Sequence, residues 1–125
     1  MNRVFQVSFH VPGTLTADLN IRFTAPFDMT LKHISAVGSN TYAGGLNVGL
    51  SSDTNGYLEL YSIGVSDTPV EKEAITDFAG ALAGSQFPRI LDGEIVVLEL
   101  DYDYAGGGSA NDCADVTIVM TFLEG

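Results

Sequence analysis

Basic residues are scarce in this sequence. Five Lys and Arg stand against 16 Asp and Glu, a formal net charge of −11. A free chain this acidic repels phosphates, which argues against a nucleic-acid binder. Cysteine is nearly absent. Cys113 stands alone, so no intrachain disulfide can form. His10 and His33 are the only other soft ligands, too few for a Cys/His zinc site. Tryptophan is missing altogether, and with it the best aromatic platform for a saccharide. No apolar run approaches the roughly 18 residues of a membrane span. The opening residues, Met1–Gln6, already alternate like a strand and lack the long apolar stretch of an export signal. The expectation is a chain synthesised in a cytoplasm, with neither a membrane nor a nucleic acid as partner. Charged residues make up only 17% of the chain, below the usual share of about 25%. Part of the charge-poor surface is then available for a partner to cover.

What is present is apolar residues, 46% of 125 positions, enough for one core and a single domain over residues 1–125. No linker and no internal repeat breaks the chain. The dominant pattern is a period of two, the signature of half-buried strands. Phe5, Val7, Phe9 and Val11 share one face, and Pro12-Gly13 reads as the turn that ends the run. Leu19, Ile21 and Phe23 alternate with polar neighbours, and Ala25-Pro26 then interrupts. Met29, Leu31, His33, Ser35 and Val37 fall on one face of the next segment, with Ile34 and Ala36 opposite. Leu46, Val48 and Leu50 precede Asp53-Thr54-Asn55-Gly56, where Asn-Gly predicts a tight hairpin. Beyond it, Leu58, Leu60 and Ser62 oppose Tyr57, Tyr61 and Ile63. Pro69 to Phe78 combines helix-start residues with Val70, Ala74 and Phe78 at helical spacing, and predicts one short helix or an irregular excursion over 69–78. Ile95 to Leu100 is almost continuously apolar, as in a central strand, and Val116, Ile118, Met120 and Phe122 alternate cleanly. The fold expected is all-β: an antiparallel β-sandwich of jelly-roll type.

Candidate chemistry is thin. Glu99, Asp101 and Asp103 share a strand face, and Asp112 and Asp115 follow the Gly106-Gly107-Gly108 loop. If the flanking strands form a hairpin, Asp101, Asp103 and Asp112 could offer oxygens to calcium, although no EF-hand register is present. The alternative is a solvated acidic face that guards a sheet edge. Paired carboxylates can also hydrolyse glycosides, but a closed sandwich of this size leaves little room for a cleft. Cys113 sits beside Asp112 and Asp115, which raise a thiol's pKa and make it a poor nucleophile. His33 reads as a hydrogen-bonded structural histidine and His10 as a surface one. The glycine triplet lacks the Lys-Ser/Thr of a phosphate loop. An enzyme is not expected, and neither is a cofactor. Phe5, Tyr42, Tyr57, Tyr61 and Tyr104 remain as residues of the kind found at protein contacts and in sugar sites.

Three stretches carry a resemblance to a known family. Phe23-Thr24-Ala25-Pro26-Phe27-Asp28-Met29-Thr30-Leu31 looks like a strand entry of small virion proteins of tailed phages. The run Leu91 to Asp103 and the strand Asp115 to Phe122 have the same look. Together they resemble capsid decoration, or cement, proteins. The resemblance implies a compact β domain, often trimeric, seated on the outer surface of an assembled head, where it braces the major capsid protein or other virion subunits. It implies no catalytic residue. The acidic charge suits such a role, since it keeps free copies soluble and away from DNA. An extended N-terminal arm, residues 1–5, could add a strand to a neighbour. The competing expectation is a virion or tail module that grips glycans, assisted by calcium at Asp101, Asp103 and Asp112.

Overall fold

The computed structural model describes residues 3–105 and 111–125. Met1 and Asn2 of the expected arm, and the Gly106–Gly108 triplet, lie outside the described residues. Nine strands form: β1 (Val4–Thr14), β2 (Leu19–Thr24), β3 (Met29–Val37), β4 (Gly45–Leu50), β5 (Asp53–Ser62), β6 (Val70–Lys72), β7 (Arg89–Ile90), β8 (Ile95–Asp101) and β9 (Ala114–Glu124). One sheet runs β1-β9-β3-β6, with β7 beside β6 on the same flank of β3; the other runs β2-β8-β4-β5. Every strand pair is antiparallel. The chain crosses repeatedly between the sheets and returns its last strand to the middle of the first. That is jelly-roll topology, the class expected from the alternation.

The cleanest alternation builds the centre. β8 and β9 are the inner strands of their sheets, and Val96, Leu98, Leu100, Ile118, Met120 and Phe122 are all buried. Phe122 ties the layers together: its ring stacks on Phe5 at 5.2 Å and meets Phe23 of the other sheet edge-on at 6.0 Å.

Four local expectations are corrected by the backbone. β1 does not stop at Pro12-Gly13 but continues to Thr14, with its register shifting between Val11 and Thr14. In β3 a bulge between Leu31 and His33 reverses the phase, so Met29, Leu31, Ile34 and Ala36 point inward and His33 outward. The β4–β5 turn is Ser51-Ser52, and Asp53–Gly56 belongs to β5. Those residues arch over Gly49, where an added Cβ would lie 2.1 Å from the Asp53 carbonyl oxygen. A further shift between Leu46 and Val48 turns Leu60 out and Tyr61 in. Residues 69–78 take the irregular form, one of the two expected there. Val70–Lys72 pair with β3, and a 3-10 turn covers only Ile75–Asp77. The Asp77 carboxylate accepts from the Glu73 and Ala74 amides, both at 3.0 Å, which closes that turn instead of extending it.

The two sides of the sandwich differ. The excursion between β6 and β7 drives Phe78 fully into the core and packs Leu82 against Gly56 of β5. Among the described residues, the β1/β2 side has no such plug. Phe5, Val7, Phe9, Val11, Leu19, Ile21 and Phe23 touch the core there but stay partly exposed.

Candidate functional site

A polar row lies on the outer face of the four-stranded sheet, where β2, β8 and β4 present Asn20, Glu99 and Asn47 side by side. Register makes the row: Asn20 lies opposite Glu99, and Glu99 opposite Asn47. Asn47 Nδ2 donates to Glu99 Oε1 at 2.9 Å and to the Thr54 carbonyl at 2.9 Å, tying the arch to the sheet. Arg22 Nε donates to Asn20 Oδ1 at 3.0 Å. Hydrogen bonds from Asn47 and Thr54, aided by the Arg22 charge, hold the Glu99 carboxyl below the usual carboxylate range. Beneath the arch Val97 is fully buried although it points away from the core, which explains why β8 is apolar on both faces.

One end of this row opens into a groove of about 390 Å³, lined by Asp18, Leu19, Asn20, Asn47, Leu60, Glu99, Leu100 and Asp101. Tyr104 and Leu60 close over Gly45, where any Cβ would strike the Tyr104 ring at 2.5 Å. Asp18, Asp101 and Asp103 each place a carboxylate oxygen within 4.8 Å of the others. Asp101 is therefore pushed up, first by its hydrogen bond to Asp103 and then by burial and the Asp103 and Asp18 charges. Three carboxylates this close can hold a hard cation or a partner's ammonium group. His33, Glu71 and Glu73 form a second such group on the other sheet, with His33 Nε2 at 3.0 Å from Glu71 and 4.0 Å from Glu73. His33 is thus hydrogen-bonded as expected, but on the outer face.

The expected calcium set is only partly assembled. Asp101 and Asp103 come together, and Asp18 joins them in place of Asp112. Asp112 is buried at 8% exposure, its Oδ1 has no hydrogen-bond partner among the described residues, and its backbone carbonyl accepts from Asn40 Nδ2 at 2.9 Å. Asp115 is used elsewhere: Oδ1 accepts from the Gly13 amide at 2.6 Å and Oδ2 from Ser39 Oγ at 2.7 Å. Cys113 is fully buried, and burial, with the Asp112 and Asp101 charges, pushes its thiol up to about 11.

The aromatic candidates divide. Tyr57 is buried at 2% exposure, and burial raises its hydroxyl pKa. Tyr61 is largely enclosed, with an unpartnered hydroxyl and Lys72 Nζ 4.7 Å over its ring. Tyr42 and Tyr104 are exposed at 36% and 38%. Phe5 is half-buried between Phe27 and Phe122.

A jelly-roll sandwich with a polar outer groove is an architecture used by viral coat subunits and by lectins alike. No protein-family model and no characterised protein matches the sequence. Among solved structures, the fold is similar to a chain of the cyanophage Pam1 capsid asymmetric unit, with a TM-score of 0.55 and 12% identity over 99% of this chain and 85% of that one. Looser likenesses are to desmodium yellow mottle tymovirus (TM-score 0.37, 15% identity, 99% and 87% covered) and to the Tobacco streak virus coat protein (TM-score 0.39, 14% identity, 96% and 83% covered).

Proposed function

We propose that this chain is a structural subunit of a virus particle: a decoration protein that sits on the outside of an assembled phage head and stabilises it through contacts with capsid subunits and its own copies. The observation that carries this reading is the whole-length fold likeness to a chain of the Pam1 capsid asymmetric unit. Three properties support it. The single cysteine, Cys113, is buried and free, so the core closes without an intrachain disulfide. The net charge of −11 favours solubility and opposes binding to nucleic acid. A subunit bound many times to a symmetric lattice favours the assembled state by mass action, with no chemistry required.

The test is location. Purified particles from the producing host are analysed by mass spectrometry, and intact particles are labelled with antibody against the chain. Labelling of the outer head surface, with particles lacking the chain breaking at lower temperature, supports the reading. Absence from particles, or labelling of tails alone, overturns it.

A second reading rests on the groove. Carboxylates and amides beside Tyr104 are the donor and acceptor set that grips sugar hydroxyls, and the Asp18–Asp101–Asp103 group would let calcium assist. Saturable binding on a glycan panel, weakened by chelation, would favour a glycan-binding virion module over a decoration protein.

A further inference from the structure

The outer edge of β1 is the one long strand edge in the described residues left without protection. Natural sheet edges are kept short or guarded by charges. The β5 edge carries Asp53 and Glu59, β6 and β7 span three and two residues, and β2 carries Arg22 in six. β1 runs for 11 residues, and between Val4 and Thr14 its only titratable side chain is His10.

The backbone alternation shows what this edge offers. The Glu124 amide donates to the Arg3 carbonyl at 2.8 Å, so Arg3 belongs to a hydrogen-bonded pair with β9. Along an antiparallel ladder such pairs recur at every second residue. Phe5, Val7 and Phe9 therefore spend their backbone groups on β9, and Val4, Gln6, Ser8 and His10 turn theirs to the free edge. The next out-turned position is Pro12, which has no N–H to leave unpaired. Among the described residues, no strand pairs with that edge.

We propose that β1 is a self-pairing edge: two copies of this chain join along it, antiparallel, about a two-fold axis through Val7, and merge their larger sheets into one. In that register Val4 faces His10 of the second copy and Gln6 faces its Ser8. The four out-turned residues of each strand then form roughly eight backbone hydrogen bonds. On the inner face Phe5 comes opposite the second copy's Phe9, and Val7 opposite Val7. The half-exposed stripe of Phe5, Val7, Phe9 and Val11 continues from one copy into the next, on the side of the sandwich that Phe78 does not plug.

Charge selects a second copy as the occupant. Copies at −11 repel wherever carboxylates meet. Of the 16 acids, only Asp18 precedes Asp28, and β1 has none. This edge is where like can meet like without opposing carboxylates. The contact is isologous and closes at two copies, in contrast to the trimer that the family resemblance implies. The pairing is read from the strand alone and does not rest on the virion reading.

The test is the mass of the full chain by sedimentation velocity and light scattering over a range of concentration and salt. The expected result is a two-copy species that strengthens as salt screens the net charge. Ser8→Pro removes an out-turned N–H that bonds nothing within one copy, and is expected to give a monomer with unchanged circular dichroism. Should that variant misfold, Gln6→Lys with Ser8→Lys guards the edge by charge and serves the same purpose. Val7→Cys is expected to form an interchain disulfide on mild oxidation. Facing Cα atoms at a non-hydrogen-bonded pair lie about 4.5 Å apart, within disulfide range, whereas Phe5→Cys should crosslink far less. A wild-type monomer at every concentration, a three-copy mass, or a pair that survives the edge variants overturns the proposal. So does a monomer that binds particles through β1, which would assign the edge to another subunit.

Discussion

Asp115 holds the backbone of Gly13: its Oδ1 accepts from the Gly13 amide at 2.6 Å, across the bulge where β1 leaves its register with β9. The other carboxylate oxygen accepts from Ser39, and the residue sits at φ 49°, a left-handed conformation that Asp tolerates better than most residues. One side chain thus anchors the end of β1, the start of β9 and the loop after β3.

Asp115→Ala removes both hydrogen bonds and leaves a Cβ without side-chain compensation at positive φ, so it should lower the melting temperature clearly more than Asp115→Gly. The Ser39 and Gly13 hydrogen bonds hold the Asp115 carboxyl below its ordinary value. Its contribution is therefore present above the unfolded-state pKa and disappears as pH falls through the lower folded one. Thermal melts of wild type and Asp115→Ala across pH should converge on acidification.

Asp101 behaves in the opposite sense. Its folded pKa is raised by the hydrogen bond to Asp103, by burial and by its acidic neighbours, so its charge weakens the fold above that pKa and not below the unfolded value. Asp101→Asn should raise the melting temperature at neutral pH and leave it unchanged in acid. Added salt should narrow the gap at neutral pH.

Gly49→Ala tests the arch. The new Cβ would lie 2.1 Å from a backbone oxygen, and backbone must move to admit it. A loss of about 1–3 kcal/mol is expected in urea unfolding. Asn47→Ala, which releases the arch from Glu99, should cost about 1–2 kcal/mol.

Phe122→Ala empties the contact that joins the two sheets. A loss of about 3–5 kcal/mol by denaturant titration is expected, larger than for Val119→Ala on the outer face of the same strand.

The strands that built the core were legible because their side chains obey a strict period of two. β9 keeps that period for almost its whole length, β8 stood out as an unbroken apolar run, and the all-β sandwich follows from them. His33 and Leu60 went astray for one reason. A single extra residue in a strand, at Lys32 or within Leu58–Tyr61, reverses inside and outside for everything beyond it, and no residue type announces it. The Asn55-Gly56 pair was read as a turn because its conformational freedom suits one. Neither residue adopts a positive φ; both lie in β5, and what Gly56 supplies is the missing Cβ that makes room for Leu82. The groove was half legible. Asp101 and Asp103 are neighbours in sequence, but Asp18 reaches them only because Leu19 pairs with Leu100, a register set by the whole sheet. Tyr57 and Tyr61 carried no mark to separate them from the exposed Tyr42 and Tyr104.

The excursion that plugs the sandwich also sets where foreign sequence can be carried. Gly84 and Ser85 both adopt left-handed φ, 58° and 62°, at the solvent-facing bend of that segment. An epitope spliced between them would hang from the flank opposite β1, leaving the edge strand clear and pointing two cargoes outward from the far ends of a joined pair.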